Sequence, residues 1–97
     1  MRYFLSNKAE EDIIRIFLDG VCTFGEIQAE KYHDELEKVF IFLVENPLAN
    51  REHDEFTPPV RIHPHQSHLI VYNIKDQENL FVIRVLHKHE DWRNKSI

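Results

Sequence analysis

The spacing of hydrophobic residues predicts a helix near the start of the chain. Between residues 7 and 20, apolar side chains recur every three or four positions, which is the period of an amphipathic helix. Asn7, with Glu10 three residues later, matches the capping-box pattern and predicts the helix start, while Gly20 predicts its end. A short apolar segment at residues 3–6 predicts a preceding strand. The apolar positions of the helix are Ala9, Ile13, Ile16 and Phe17.

A second helix is predicted over residues 24–45. Thr23, followed three residues later by Glu26, predicts the N-cap, and Pro47 predicts the end. Two helices joined by a short link fold back on each other, so the pattern predicts an antiparallel hairpin. The acidic face of this helix is interpreted as solvated, and its apolar stripe as core. The stripe comprises Ile27, Tyr32, Leu36, Val39, Phe40 and Leu43.

The second half of the chain predicts strands at residues 60–63, 69–74 and 80–87, after a polar connector at residues 48–59. A polar turn at residues 76–79 joins the last two strands into a hairpin. Simple alternation along the last strand separates its side chains into two faces. One face holds Leu80, Val82, Arg84 and Leu86, and the other holds Phe81, Ile83, Val85 and His87.

Both long strands are apolar on both faces, which is typical of central strands covered on each side. The helical hairpin covers one face, and the residues after His89 are too few and too polar to cover the other. We therefore predict one domain over residues 1–97 with an α+β fold: an N-terminal strand and an antiparallel two-helix hairpin packed on a small antiparallel β-sheet. The open apolar face predicts a protein partner, with a self-dimer or a more closed monomer as alternatives.

The composition narrows the class of protein. A chain of 97 residues with 42% hydrophobic content forms a globular domain rather than a disordered segment. Its single cysteine, Cys22, excludes an internal disulfide and suits the reducing cytoplasm. A net charge of −5 disfavours general nucleic-acid binding, which depends on Lys and Arg. No apolar run approaches the length of a membrane span, so no membrane association is expected.

Short motifs follow one another in a fixed order along nearly the whole chain. The helices and the first strand after them carry Ala9, Asp12, Ile13, Ile16, Gly25, Ala29, Pro47 and Arg61. The last two strands carry His68, Ile70, Val71, Tyr72 and Ile74, then Val82, Ile83, Arg84, Val85, Leu86 and His87, with Trp92 beyond. This ordered set resembles the RelE/ParE superfamily of toxins from bacterial type II toxin–antitoxin modules, and it is most similar to the ParE branch.

The resemblance implies a toxin that inhibits growth by binding a target protein, which in the ParE branch is DNA gyrase. It also implies a cognate antitoxin that wraps the toxin, neutralises it in the cytoplasm and covers its apolar sheet surface in a hetero-oligomer. No cofactor is expected. The residues expected to contact a partner are Ile70, Tyr72, Arg84, His87 and Trp92.

The alternative is a ribosome-dependent mRNA endonuclease of the RelE class. The candidate residues for it are Arg61, Arg84, His87, Lys88 and His89. Histidines would supply the acid and base for RNA cleavage, and the resemblance places Arg61 and Arg84 at phosphate-binding positions. Trp92 would stack a base. The basic helix and loop surface of that class is absent, and no tyrosine follows the last strand, so we favour a toxin without catalysis. A purely regulatory partner-binding module is the third class.

Histidines concentrate in the second half of the chain and raise the question of a metal site. His63, His65 and His68 could gather with His87 and His89 at one edge of the sheet. Zinc sites use His and Cys ligands in tetrahedral sets. No closely spaced pair of cysteines is present, and histidines at alternate positions also occur on ordinary solvated strands. We therefore predict no metal.

Overall fold

The computed structural model describes residues 2–76 and 79–90, in which two helices pack on a five-stranded sheet. The elements are β1 Arg2–Leu5, α1 Asn7–Phe24, α2 Glu26–Glu45, β2 Glu52–His53, β3 Val60–His65, β4 His68–Ile74 and β5 Asn79–His87. The strands lie in the order β1-β5-β4-β3-β2. The predicted α+β fold is confirmed. The sheet is mixed rather than wholly antiparallel, because β1 joins it parallel to β5.

The start of α1 is determined by a side chain that also contacts the sheet. Ser6 Oγ accepts a hydrogen bond from the backbone N–H of Ala9 at 2.9 Å and donates one to the carbonyl of Ile83 at 2.6 Å. Ser6 is therefore the N-cap, one residue before the predicted Asn7. The same hydroxyl fixes α1 to β5.

The link between the helices is a single residue, Gly25. The predictions that Gly20 ends the first helix and that Thr23 caps the second were wrong, because both residues lie inside α1. Gly20 has a packing role instead: an added Cβ would lie 3.3 Å from the Cβ of Ala29, so the glycine permits close approach of the helices. Gly25, with φ 90° and ψ 163°, makes the turn.

The main core lies between the helices and one face of the sheet. Its buried members are Ala9, Leu36, Phe40, Leu43, Ile70, Tyr72, Leu80, Val82 and Val85. Tyr3 packs on Phe40, with ring centroids 5.1 Å apart. The prediction that the stripe of α2 is core is confirmed except at Ile27, which is 84% exposed because it lies in the first turn of α2 at the tip of the hairpin.

The opposite face of the sheet has a core of its own. Val60, Ile62, Val71 and Leu86 are buried there, and Phe56, Leu69 and Ile83 pack against them. The predicted open apolar face is therefore wrong at its centre. The connector at residues 48–59 contributes Phe56 and also the short strand β2, which pairs with the start of β3. Sequence reasoning missed both because the connector is polar.

A bulge in β5 changes which side chains face the helices. Val71 pairs with Arg84 but Tyr72 pairs with Val82, so Ile83 is an extra residue on β5. Val82 and Val85 therefore share the helix-facing core, while Leu86 joins the opposite one. The predicted two-residue alternation along this strand holds through Ile83 and is wrong at Val85 and Leu86, which lie on the faces opposite to those predicted.

Replacing Gly25 by alanine is expected to lower the free energy of unfolding by about 1–3 kcal/mol, because its backbone conformation is strained for residues with a side chain. No atom lies within 4 Å of the added Cβ, so the cost comes from the backbone alone. Urea unfolding measures the difference. Thr23→Ala, at a nearby exposed position, is the control and should change stability by less than about 0.5 kcal/mol. Equal losses in both variants would contradict the prediction.

Candidate functional site

A buried ion pair joins α1 to β5. Asp12 is only 2% exposed. Its Oδ2 accepts hydrogen bonds from Arg84 Nε at 2.8 Å and from the backbone N–H of Val85 at 3.0 Å. Its Oδ1 accepts from Nη2 of Arg84 and Nη2 of Arg15, each at 3.0 Å. Four donors thus satisfy one buried carboxylate, as a buried charge requires.

This ion pair removes Arg84 from the candidate catalytic group. The side chain of Arg84 is 14% exposed, and its guanidinium donates two parallel hydrogen bonds to the carboxylate of Asp12. Hydrogen bonding to Asp12 raises the pKa of Arg84, against the opposing effect of burial. An arginine whose charge is already balanced by a carboxylate is poorly placed to stabilise a phosphate.

Arg61 lies at a different part of the sheet from the histidines of the candidate group. Its Nη1 donates to the carbonyl of Asn50, and it pairs across the strands with Tyr72. His65, four residues further along β3, is the position that pairs with His68, which in turn pairs with His87. Four residues of strand span about 13 Å. The five candidate residues therefore do not form one site.

Four of the five histidines considered for a metal do come together, in what we call the histidine row: His65, His68, His87 and His89. The ring centroids of His68 and His87 are 5.6 Å apart, and those of His87 and His89 are 5.1 Å apart. Tyr32 of α2 closes the row: its hydroxyl lies 2.6 Å from His68 Nδ1, and its ring stacks on His65 at 5.7 Å.

Burial affects the protonation of the two groups in the shortest contact of the row. It raises the pKa of Tyr32 to about 12, with Glu35 contributing. It also lowers the pKa of His68, with His87 and His65 adding to the effect and Glu90 opposing it. At neutral pH both groups are therefore uncharged.

His63 is separate from the row. Its Nδ1 lies 2.9 Å from Asn50 Nδ2, and its ring lies 5.8 Å from that of Phe42. Burial lowers the pKa of His63, and the charge of His65 acts in the same direction. Across residues 2–76 and 79–90, no group of three or more His, Cys, Asp or Glu side chains is arranged to hold a metal ion.

A cavity of about 680 Å³ opens between the two helices and the end of the sheet that carries the histidine row. Its apolar lining includes Phe17, Phe24 and Leu36, and its polar lining includes Tyr32, His68 and His87. Cavities of this size with a few polar groups among apolar walls are typical of binding sites.

Exposed apolar side chains lie mainly on the helices rather than on the sheet. Ile14, Leu18, Phe24 and Ile27, which we call the hairpin patch, are all more than half exposed. Ile14 and Leu18 are one turn apart on α1, and Phe24 and Ile27 flank the hairpin tip. Sequence reasoning missed this patch because the same periodicity marks a core stripe.

The residues expected to contact a partner fall into different environments. Ile70 and Tyr72 are fully buried under the helices, so a direct contact with a partner does not fit their positions. Arg84 is held by Asp12. His87 is exposed at the end of the sheet. Trp92 lies outside the described residues.

The fold and these surfaces define a small α+β protein whose buried charges hold its structure and whose exposed apolar side chains suit a protein partner. The family model of the ParE toxin of the type II toxin–antitoxin system parDE matches residues 3–92. The chain is 32% identical over 90 residues to Toxin ParE1 of Mycobacterium tuberculosis (strain CDC 1551 / Oshkosh), an alignment covering 93% of this chain and 92% of the relative. Toxin ParE1 of strain ATCC 25618 / H37Rv gives the same values.

A solved structure described as the chromosomal ParDE TA system from P. aeruginosa shares the fold. It aligns with a TM-score of 0.75 and 21% identity, covering 90% of this chain and 95% of that chain. The chain belongs to the ParE family: it is a ParE-type toxin of a type II toxin–antitoxin system. The resemblance inferred from the sequence motifs is confirmed. Neither helix of the described part of the chain is long and apolar enough to cross a membrane.

Removing the carboxylate of Asp12 is expected to destabilise the fold strongly. Asp12→Ala leaves Arg84 buried without a counter-charge, which costs about 3–5 kcal/mol of unfolding free energy. Arg15→Ala is the control: its side chain is 56% exposed, so its loss should cost less than about 1 kcal/mol.

The double variant Asp12→Leu with Arg84→Met separates the charge effect from packing, because it leaves no buried charge unpaired. Urea unfolding should show a smaller loss in the double variant than the sum of the losses in Asp12→Leu and Arg84→Met. A loss equal to that sum would contradict the interpretation that the two residues act as a pair.

Proposed function

We propose that this toxin inhibits growth by binding DNA gyrase, and that a cognate antitoxin neutralises it by binding the hairpin patch and the adjacent cavity. Toxin and antitoxin would form a hetero-oligomer in the cytoplasm, with residues 1–97 acting as one toxin domain. This mode of action needs no chemical step by the toxin itself.

The observation that carries the proposal is the pairing of Arg84 with Asp12. RNA cleavage requires cations at the phosphate beside an acid and a base. Arg84 is the arginine nearest in sequence to His87, yet its guanidinium is occupied by a buried carboxylate. Arg61 lies beside Asn50, away from the histidine row. These placements favour a toxin that acts by binding over a ribonuclease.

The hairpin patch supports an antitoxin partner. Phe24 lines the cavity and Ile27 lies just beyond the turn, and exposed apolar side chains beside a cavity fit an amphipathic segment of a partner chain. Such a segment can be disordered alone and fold on the toxin surface. The sequence pattern suggested that the antitoxin covers the sheet. We propose instead that it binds the helices. Phe24 belongs to both the patch and the cavity lining.

The polar end of the sheet supports a separate contact with the target. His87, Lys88 and His89 are exposed in a row after the buried part of β5. His87 lines the cavity, and Lys88 and His89 follow it directly along the chain. We assign this end, together with Trp92 beyond it, to gyrase binding.

Gyrase binding is tested with purified toxin in a supercoiling assay. Micromolar toxin should inhibit supercoiling, and the triple variant His87→Ala, Lys88→Ala, His89→Ala should inhibit at least about tenfold less, a loss of about 1.4 kcal/mol of binding. Lys38→Ala, an exposed lysine on α2, is the control and should inhibit like the unmodified toxin.

Two outcomes would contradict the gyrase proposal. One is normal supercoiling at micromolar toxin. The other is the appearance of new cuts at the ribosomal A site in primer extension on translated mRNA, with gyrase unaffected. The second result would establish the ribonuclease alternative instead.

Antitoxin binding is tested by co-purification and calorimetry with the protein encoded by the adjacent reading frame. Phe24→Asp with Ile27→Asp should weaken the complex at least about tenfold, because two apolar side chains lose their burial and gain charge. Leu48→Asp is a matched control, since Leu48 and Phe24 are both 72% exposed but Leu48 lies outside the hairpin patch. Two results would contradict the proposed surface. One is that the double variant and Leu48→Asp weaken the complex equally, and the other is that the double variant does not weaken it.

A further inference from the structure

We propose that Tyr32 and the histidine row form a proton-sensitive latch, which holds α2 against the end of the sheet while the imidazoles are neutral and releases it when the row gains a proton. The latch is a property of the toxin alone. It does not depend on gyrase or on an antitoxin, so it stands or falls separately from the proposed function.

The register of the sheet places the histidines at one level. His65 pairs with His68 across β3 and β4, and His68 pairs with His87 across β4 and β5. Cross-strand partners on one face lie close enough for their side chains to interact. Tyr32 reaches this level from α2, and its hydroxyl lies 2.6 Å from His68 Nδ1 and 3.5 Å from the carbonyl of His65.

These contacts are the polar connection between the middle of α2 and the sheet. A second connection lies beside them: Gln66, in the turn between β3 and β4, donates to Glu35 of α2 at 3.0 Å. The neighbouring Phe17 of α1 packs edge-on to His33 of α2, with centroids 6.3 Å apart. The cavity lies along the same boundary, so separation of α2 from the turn would enlarge it.

The charged and titratable groups around His68 determine the cost of adding a proton there. Glu35 is hydrogen-bonded to Gln66, and Glu90 accepts the backbone N–H of His87. The other charged or titratable groups lining the cavity are Arg15 and Asp19 of α1 and Lys31 and His33 of α2. The carboxylate of Glu90 favours a charged His68, but burial and the neighbouring His87 and His65 outweigh it, so the pKa of His68 is lowered.

Burial makes a positive charge on His68 costly. Nε2 of His65 is buried and has no hydrogen-bond partner, so a proton there would be left unpaired. A cation on His68 would face His65 and His87 at short range, and like charges repel most strongly in a partly buried site. The geometry therefore favours neutral His68.

Linkage gives the direction of the pH effect. The folded protein lowers the pKa of His68 below the ordinary value of 6.5. Between the two values the unfolded or opened state binds more protons, so stability rises with pH in that window. The latch is fully closed above about pH 6.5 and is lost as the pH falls through the pKa of folded His68.

Hydrogen exchange of the full chain, followed by mass spectrometry and corrected for intrinsic rates, tests the latch. On lowering the pH from about 7.5 to about 5.5, backbone amides of α2 near Tyr32 and of the β3–β4 turn should exchange several-fold faster, because the opened state binds more protons. In His68→Asn this acceleration should disappear, because the side chain of asparagine does not titrate. His33→Asn, on the same helix outside the row, should keep the wild-type response.

Two further measurements keep the test decisive if His68→Asn folds poorly. Tyr32→Phe, which keeps the ring, should give fast exchange in α2 already at pH 7.5 and a smaller pH response. NMR titration of the unmodified chain should show the His68 ring titrating below 6.5. A His68 that titrates at or above 6.5, an exchange pattern that does not respond to acid, or an equal response in His68→Asn and His33→Asn would each overturn the proposal.

Discussion

The buried contact between Asp12 and Arg84 is the interaction on which the arrangement of helices and sheet depends. Taking two charges out of water is costly, and here it is offset because four donors surround one carboxylate. The bulge at Ile83 brings Arg84 to α1, and Ser6 hydrogen-bonds the carbonyl of the same bulge residue. The first helix is thereby fixed to β5 at two neighbouring points, which sets the position of the whole helical hairpin.

This arrangement separates structural polar groups from those available for function. Arg84 and Asp12 satisfy each other inside the protein, and Arg61 and Asn50 tie the connector to β3. The histidine row lies elsewhere, at the end of the sheet where His65, His68 and His87 are neighbours across the strands. A protein built in this way keeps its buried charges for its own stability.

The exposed apolar surface has an equally physical origin. The connector supplies Phe56, and β3 supplies Val60 and Ile62, so the second face of the sheet is closed by the chain itself. The helical hairpin has more apolar positions than the sheet can cover, because α1 contacts it along one side only. Ile14 and Leu18 are left facing outward. An exposed apolar surface of this kind on a small toxin is suited to a partner chain that contains an amphipathic segment.

Periodicity and motif order were sufficient to predict the two helices, four of the five strands apart from their exact ends, and the family, since these depend on local patterns. The single-residue turn at Gly25, the bulge at Ile83 and the covering role of Phe56 were not predictable in the same way. Each depends on which distant segments approach one another. Asp12 stood in the sequence as an acidic residue near a helix start, and Arg84 as a candidate for binding phosphate. Folding places them 2.8 Å apart and so changes what both can do, because a charge can be assigned a role only when its neighbours across the chain are known.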